Sequence, residues 1–190
     1  NQNIPKKILY WYDNNKRALP WRKKVSKKKQ EYFTLVSEFM LQQTQVKTVI
    51  PYFEKFIKEF PNLKSLAKSS DHKILKNWEG LGYYSRARNL KKTAIKLLKD
   101  YKGELPEDIE TLKSLPGIGE YTSRSILAIA HNKPYIPMDG NVERIIKRIF
   151  LLKTENEITK ENLIKKKYFF SYSNRSSDYA QAIMEIGALI

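Results

Sequence analysis

Apolar residues recur along this chain at intervals of three and four, and no stretch alternates in the manner of a strand. Leu90, Ala94, Leu97, Leu98 and Tyr101 fall on one helical stripe, and Gly103 follows as a stop signal. Ser70 or Asp71 opens a short helix through Trp78, closed at Gly80. Residues 108–114 and 120–131 read as two helices around a five-residue turn. Further helices fit 4–15, 31–45, 47–59, 141–151, 158–166 and 177–190. The expected class is all-α, with no internal repeat and no low-complexity tract apart from a lysine-rich stretch.

Charge is the next constraint. The 190 residues carry 36 Lys and Arg against 20 Asp and Glu, a net charge of +16. Such a surplus suits a polyanionic partner, nucleic acid before an anionic membrane surface, although a lysine-rich genome raises the same figure with no partner at all. The excess is concentrated early: residues 1–30 hold ten basic side chains and one acid, Asp13. Lys23 to Lys29 reads as a solvated loop able to rest on phosphates. There is no cysteine, which excludes disulfides and cysteine-ligated metal within this chain. His72 and His131 are too few for a metal site, so none is expected. No long apolar run or leader peptide is present, so the expectation is an intracellular protein, cytoplasmic and nucleoid-associated in a bacterium, with no membrane partner. The opening Asn1 and the apolar run at the end read as a fragment.

Leu115-Pro116-Gly117-Ile118-Gly119 lies between the two helices of the turn. Pro116 discourages continuation of the first helix, and the glycines permit backbone angles and close approach that a side chain blocks. The second helix then begins with unpaired N–H groups and the positive end of its dipole outward, a setting for an anion. This resembles a helix-hairpin-helix, which grips DNA phosphates regardless of sequence. The plainer alternative is an αα turn that uses Pro and Gly for geometry alone.

Residues 32–41 are apolar on nearly every side, and Glu38 is the only charge among them. A lone carboxyl in apolar surroundings tends to hold its proton, as a general acid must. A Glu paired with a basic partner from elsewhere fits the spacing equally well. Gln42-Gln43-Thr44-Gln45 follows, four uncharged hydrogen-bonding residues suited to reading base edges, or simply a polar helix end. Later, Pro134 to Met138 leads into Asp139-Gly140-Asn141-Val142. Spacing alone favours Asp139 as a helix cap. The functional alternative is an ionised carboxylate facing a developing positive charge, with Asn141 orienting it.

Together these strings resemble the A/G-specific adenine DNA glycosylase (MutY) family of the helix-hairpin-helix superfamily. The matching segments are Leu19-Pro20-Trp21-Arg22; Ser37-Glu38 with Met40-Leu41-Gln42-Gln43-Thr44-Gln45-Val46; and Thr48 to Phe53. They continue through Trp78, Gly80-Leu81-Gly82-Tyr83-Tyr84 and Arg86-Ala87-Arg88-Asn89-Leu90 to the LPGIG turn. Asp139 to Val142, and Gln181 with Gly187-Ala188-Leu189-Ile190, complete the set.

The resemblance implies a two-lobed helical fold with DNA in the cleft: residues 28–136 as a six-helix lobe carrying the hairpin, and 1–27 with 137–190 as the other. It implies a monomer acting on double-stranded DNA that contains adenine opposite 8-oxoguanine or guanine. Glu38 then protonates adenine, and Asp139 stabilises the oxocarbenium-like sugar with Asn141 beside it and Tyr121 close by. Arg17, Trp21, Arg22 and Gln181 line the adenine pocket. Leu41, Gln43, Thr44 and Tyr83 enter the duplex, and Gly117, Ile118, Gly119, Arg86 and Arg88 face phosphates. Related lyases of the endonuclease III type carry a Schiff-base lysine at the second residue after the hairpin's last glycine. Tyr121 stands there, and a phenol forms no imine, so the implied enzyme is monofunctional.

The sequence departs from the family in two respects. The stretch from Trp21 to Glu38 is a few residues longer, with Glu31-Tyr32 where a Pro-Tyr is usual. The family also continues past the position of Ile190 with cysteines binding a 4Fe-4S cluster and a lesion-reading domain, so that cofactor is expected only if the native protein extends further. The competing expectations are a bifunctional glycosylase and lyase, and a non-catalytic DNA-binding module.

Overall fold

The computed structural model describes residues 3–154, Thr159 and 174–189. Among the described residues it is all-helical: α1 (Asn3–Asn15), α2 (Lys27–Leu41), α3 (Val46–Glu59), α4 (Leu63–Lys68), α5 (Asp71–Trp78), α6 (Ser85–Asp100), α7 (Ile109–Lys113), α8 (Glu120–Ile129), α9 (Gly140–Ile149) and α10 (Ser176–Leu189). A 3-10 turn, Pro20–Arg22, precedes α2. The helix expected at 158–166 lies outside the described residues.

Local chemistry explains many of the starts. Ser70 accepts from the Lys73 amide at 3.2 Å and caps α5. Asp108 accepts from the Thr111 amide at 2.8 Å and caps α7, which holds its carboxyl below the usual range. Asn62 and Ser65 form a reciprocal capping box on α4, a helix the periodicity did not reveal because it has barely two turns. Helix α2 begins inside the lysine run. Lysine is a fair helix former, and the Lys29 ammonium lies 5.6 Å from the centre of the Phe33 ring.

The chain forms two compact units, Ala18–Ile126 and the described residues of Asn1–Arg17 with Leu127–Ile190. The boundary falls within α8, and residues 18–27 group with α2 rather than with α1. The larger unit is built on α2, whose Leu35, Val36, Phe39 and Met40 are fully buried. An aromatic cluster supports it: Trp21 and Phe33 meet Phe53 edge-on at 5.3 and 5.4 Å, and Phe56 meets Trp78 at 5.8 Å. On α6, Leu90, Ala94 and Leu97 are buried as the stripe requires, but Leu98 is partly exposed and turns over Gly103.

In the smaller unit α10 packs on α1 and α9. Its core holds Leu9, Val142, Ile145, Ile146, Tyr179 and Ile183. Arg175 joins α1 to α10 by pairing with Asp13 and Asp178, both at 2.6 Å.

Candidate active site

Helix α2 carries Glu38 into the core of the larger unit. Every residue from Glu31 to Met40 is buried, and Glu38 itself is 6% exposed. The helix stops at Leu41, and its last carbonyls find a tertiary partner. Arg86, on α6, points its guanidinium at the last carbonyls of α2. Nη1 donates to Phe39, Met40 and Gln42 at 3.2, 2.7 and 2.5 Å. Nη2 donates to Leu81 and Gly82, both at 3.1 Å. One planar fork therefore satisfies the orphan carbonyls of a helix end and of a second turn. The expectation that Arg86 faces a phosphate is corrected: it is buried, and its burial lowers its pKa. Arg88, two residues on, does stand exposed, beside Asp71 and Lys91 at the α5–α6 crease.

The two turns that Arg86 grips hold the expected duplex-entering residues. Gln43 is exposed at φ 55° and Tyr83 is 61% exposed at φ 46°. Left-handed backbone is uncommon for such residues and is kept only where the surroundings over-determine it. Leu41 and Thr44 are half-buried beside Gln43, with the Thr44 amide donating to Leu41 at 3.2 Å.

The hairpin sits against the same helix end. Gln42 Nε2 donates to the Gly117 carbonyl at 3.2 Å and to Thr122 Oγ1 at 3.3 Å, and Thr93 Oγ1 donates to the Pro116 carbonyl at 2.8 Å. Its two glycines serve different ends. Gly117 has φ +79°, and a Cβ there would lie 2.8 Å from both Asn89 Cβ and Phe39 Cε1. A Cβ on Gly119 would meet nothing, so what its glycine leaves is open approach to the start of α8. Ile118 turns its side chain into the core at 4% exposure and donates its amide to Leu115 at 3.2 Å, so it is a support of the turn rather than a phosphate contact. Glu120 follows Gly119, its carboxyl held below the usual range by Arg124 at 2.6 Å and by Lys113 at 3.3 Å. Tyr121 comes next, half-buried. Trp21 is buried against Phe53, and Arg22 beside it is half-buried.

In the smaller unit Asp139 caps α9, with Oδ1 accepting from the Val142 amide at 2.7 Å. Its other oxygen, Oδ2, accepts from Asn141 Nδ2 at 3.2 Å. The cap and the hydrogen bond from Asn141 are thus present together. Arg144 Nη1 donates to Asn141 Oδ1 at 3.3 Å and also to the carbonyl of Gly187. Gln181 is buried, its amide nitrogen held by the Ser177 carbonyl and hydroxyl at 3.2 Å each.

Arg17 does not stand alone. Its Nε and its backbone amide both donate to Glu185 Oε1, at 2.7 and 2.9 Å, and the Glu185 side chain is 1% exposed. Glu185 went unread in the sequence, although it shows the same signal as Glu38: one acid in an apolar run, Ala182 to Leu189. Gln42, expected to read base edges or to lie in a polar helix end, had no sequence signal for its tie to the hairpin.

The family model of the HhH-GPD superfamily base excision DNA repair proteins matches residues 36–168, which contain Glu38, the hairpin and Asp139. The chain belongs to that superfamily. It is 42% identical over 184 residues to the adenine DNA glycosylase of Buchnera aphidicola subsp. Baizongia pistaciae (strain Bp), covering 96% of this chain and 51% of that protein. It is 38% identical over 190 residues to the adenine DNA glycosylase of Rattus norvegicus, covering 96% of this chain and 37% of that protein. The chain therefore spans about half the length, or less, of these curated relatives. A solved structure of a thermostable thymine-DNA glycosylase superposes with a TM-score of 0.82 at 24% identity, covering all of this chain and 86% of that one. That likeness shows the HhH-GPD fold.

A 4Fe-4S cluster, expected only if the native protein continues past Ile190, takes thiolate ligands, and the residues of this chain include no cysteine to supply one. Among the described residues no group of His, Cys, Asp or Glu could hold a metal ion. The residues present do not fit a cluster. Among the described residues no helix is long and apolar enough to cross a membrane.

Proposed function

We propose that this chain carries the excision chemistry of an adenine DNA glycosylase, cutting the N-glycosidic bond of adenine placed opposite 8-oxoguanine or guanine and leaving an abasic site. The observation that carries the reading is the contrast between two acids. Glu38 is sealed in α2, whereas Asp139 is anchored by a backbone amide and by Asn141 at a helix start.

The chemistry needs that contrast. Adenine in a stacked pair is out of reach, so its nucleotide is extruded at a cost of roughly a few kcal/mol. Adenine leaves poorly until protonated, so one carboxyl must deliver a proton while another stays ionised to face the cationic sugar. Glu38 takes the first role and Asp139 the second. Water adds to the sugar carbon as the bond to adenine breaks, and its proton passes to solvent. Arg17 with Glu185, Trp21, Arg22 and Gln181 hold the extruded base. Gln43, Thr44, Leu41 and Tyr83 fill the stack and read the opposite base, while Arg88 and the start of α8 at Gly119 take phosphates. Tyr121, where a lyase carries lysine, leaves no amine for an imine. No step is assigned to a metal cluster.

Single-turnover cleavage of an A:8-oxoguanine duplex tests this. The expected product gives strand breaks only after alkali, and Glu38→Gln loses on the order of 10²-fold or more in rate with duplex binding retained. Normal excision by Glu38→Gln overturns the assignment. Breaks without alkali, with a borohydride-trapped adduct, indicate a lyase instead.

A further inference from the structure

We infer that Arg86 is a positioning residue that fixes the two duplex-entering turns to each other, and that Gln42 carries the link onward to the phosphate-gripping hairpin. The inference rests on the proposed reading that Gln43 and Tyr83 enter the duplex. The guanidinium holds the α2 end through Phe39, Met40 and Gln42, and the following turn through Leu81 and Gly82. It lies 5.5 Å from the ring centre of Trp78 and 5.4 Å from that of Tyr83. Trp78 Nε1 adds a second hold on the Gly82 carbonyl at 3.1 Å.

The exposed residues Gln43 and Tyr83 are both held in left-handed backbone, and neither is a glycine. Without a fixed set of carbonyl partners each turn relaxes toward commoner angles, and its exposed side chain moves. Gln42 is the knot: Arg86 holds its carbonyl, while its side-chain amide holds Gly117 and Thr122. Tyr83, Arg86, Gln42 and Gly117 thus form one continuous set of contacts within the larger unit. A lysine at 86 keeps the charge but is a single point of donation, which does not span both turns.

The test uses the full chain and a duplex carrying 2-aminopurine beside the expected insertion site, whose fluorescence rises when its stacking is broken. Arg86→Lys is expected to lose the rise roughly fivefold or more, while its affinity for the duplex, set by phosphate contacts, changes by less than about threefold. Gln42→Met, which keeps side-chain size and leaves the carbonyl clamp in place, is expected to lose part of the rise. Thermal melts report whether each variant folds; should Arg86→Lys fail to fold, Gln42→Met decides alone. A full rise in the folded variants overturns the inference, as does a parallel fall of fluorescence and affinity, the mark of general structural damage. Wild-type binding without any rise overturns the duplex-entry reading and the inference with it.

Discussion

Gly187 on α10 lies so close to Asn141 on α9 that a Cβ would overlap the Asn141 carbonyl group, with 2.7 Å to the carbonyl carbon and 2.9 Å to Asn141 Cβ. The neighbour is backbone, so it cannot swing aside. Asn141 in turn orients Asp139. Gly187→Ala is expected to destabilise the protein by about 1–3 kcal/mol and to slow excision more than the folded fraction accounts for. Thermal melts combined with single-turnover rates, normalised by active-site titration, separate the two effects; an unchanged rate per folded molecule would show that Asn141 does not pass the displacement to Asp139.

Asp139 combines a structural and a chemical task, and these can be divided. Asparagine keeps the cap on the Val142 amide but sets an amide nitrogen against Asn141 Nδ2, so Asp139→Asn is expected to lose about 1 kcal/mol of stability for that one hydrogen bond while excision falls on the order of 10²-fold or more. Asp139→Ala loses both, with a further cost of about 1 kcal/mol. If Asp139→Asn retains full excision in a single-turnover assay, Asp139 is a cap and nothing more.

The two hairpin glycines are expected to fail differently. At Gly117 alanine meets Asn89 and Phe39 at positive φ, so stability falls by roughly 1–3 kcal/mol. At Gly119 alanine has room, and stability holds. The added methyl instead stands between a phosphate and the amides of α8, and duplex affinity drops about tenfold. Melting curves and fluorescence anisotropy on the same two variants read this contrast, which vanishes if the hairpin is only a turn.

Acid is expected to weaken the smaller unit through Asp13. The Arg175 hydrogen bond holds its carboxyl below the ordinary value of 3.8. A lowered carboxylate pKa contributes stability that is fully present above the unfolded value and lost as pH falls through the folded one. Both partners are substantially exposed, so solvent screens the effect and it is small. Melting temperatures of wild type and Asp13→Asn should differ near neutrality and converge below pH 3.8; a constant gap across that range would remove Asp13 as the cause.

What the sequence alone determined is local. The all-helical class, the hairpin between two helices, Asp139 as a cap and Glu38 in an apolar helix all follow from residues within one or two turns of each other. Periodicity, proline, glycine and capping side chains act over that range. The tertiary structure decided the rest. Arg86 looks like a phosphate contact in a basic string, yet it turns inward because the unpaired carbonyls ending α2, some 45 residues earlier, need donors. Helix α2 stops at Leu41, short of the end that its pattern suggested, and Arg86 takes up the carbonyls left there. Glu185 became a partner of Arg17 across 168 positions, and the close approach of Gly187 to Asn141 exists only because α9 lies against it. A buried polar group must find its partner wherever the fold brings one, and no spacing rule records where that is.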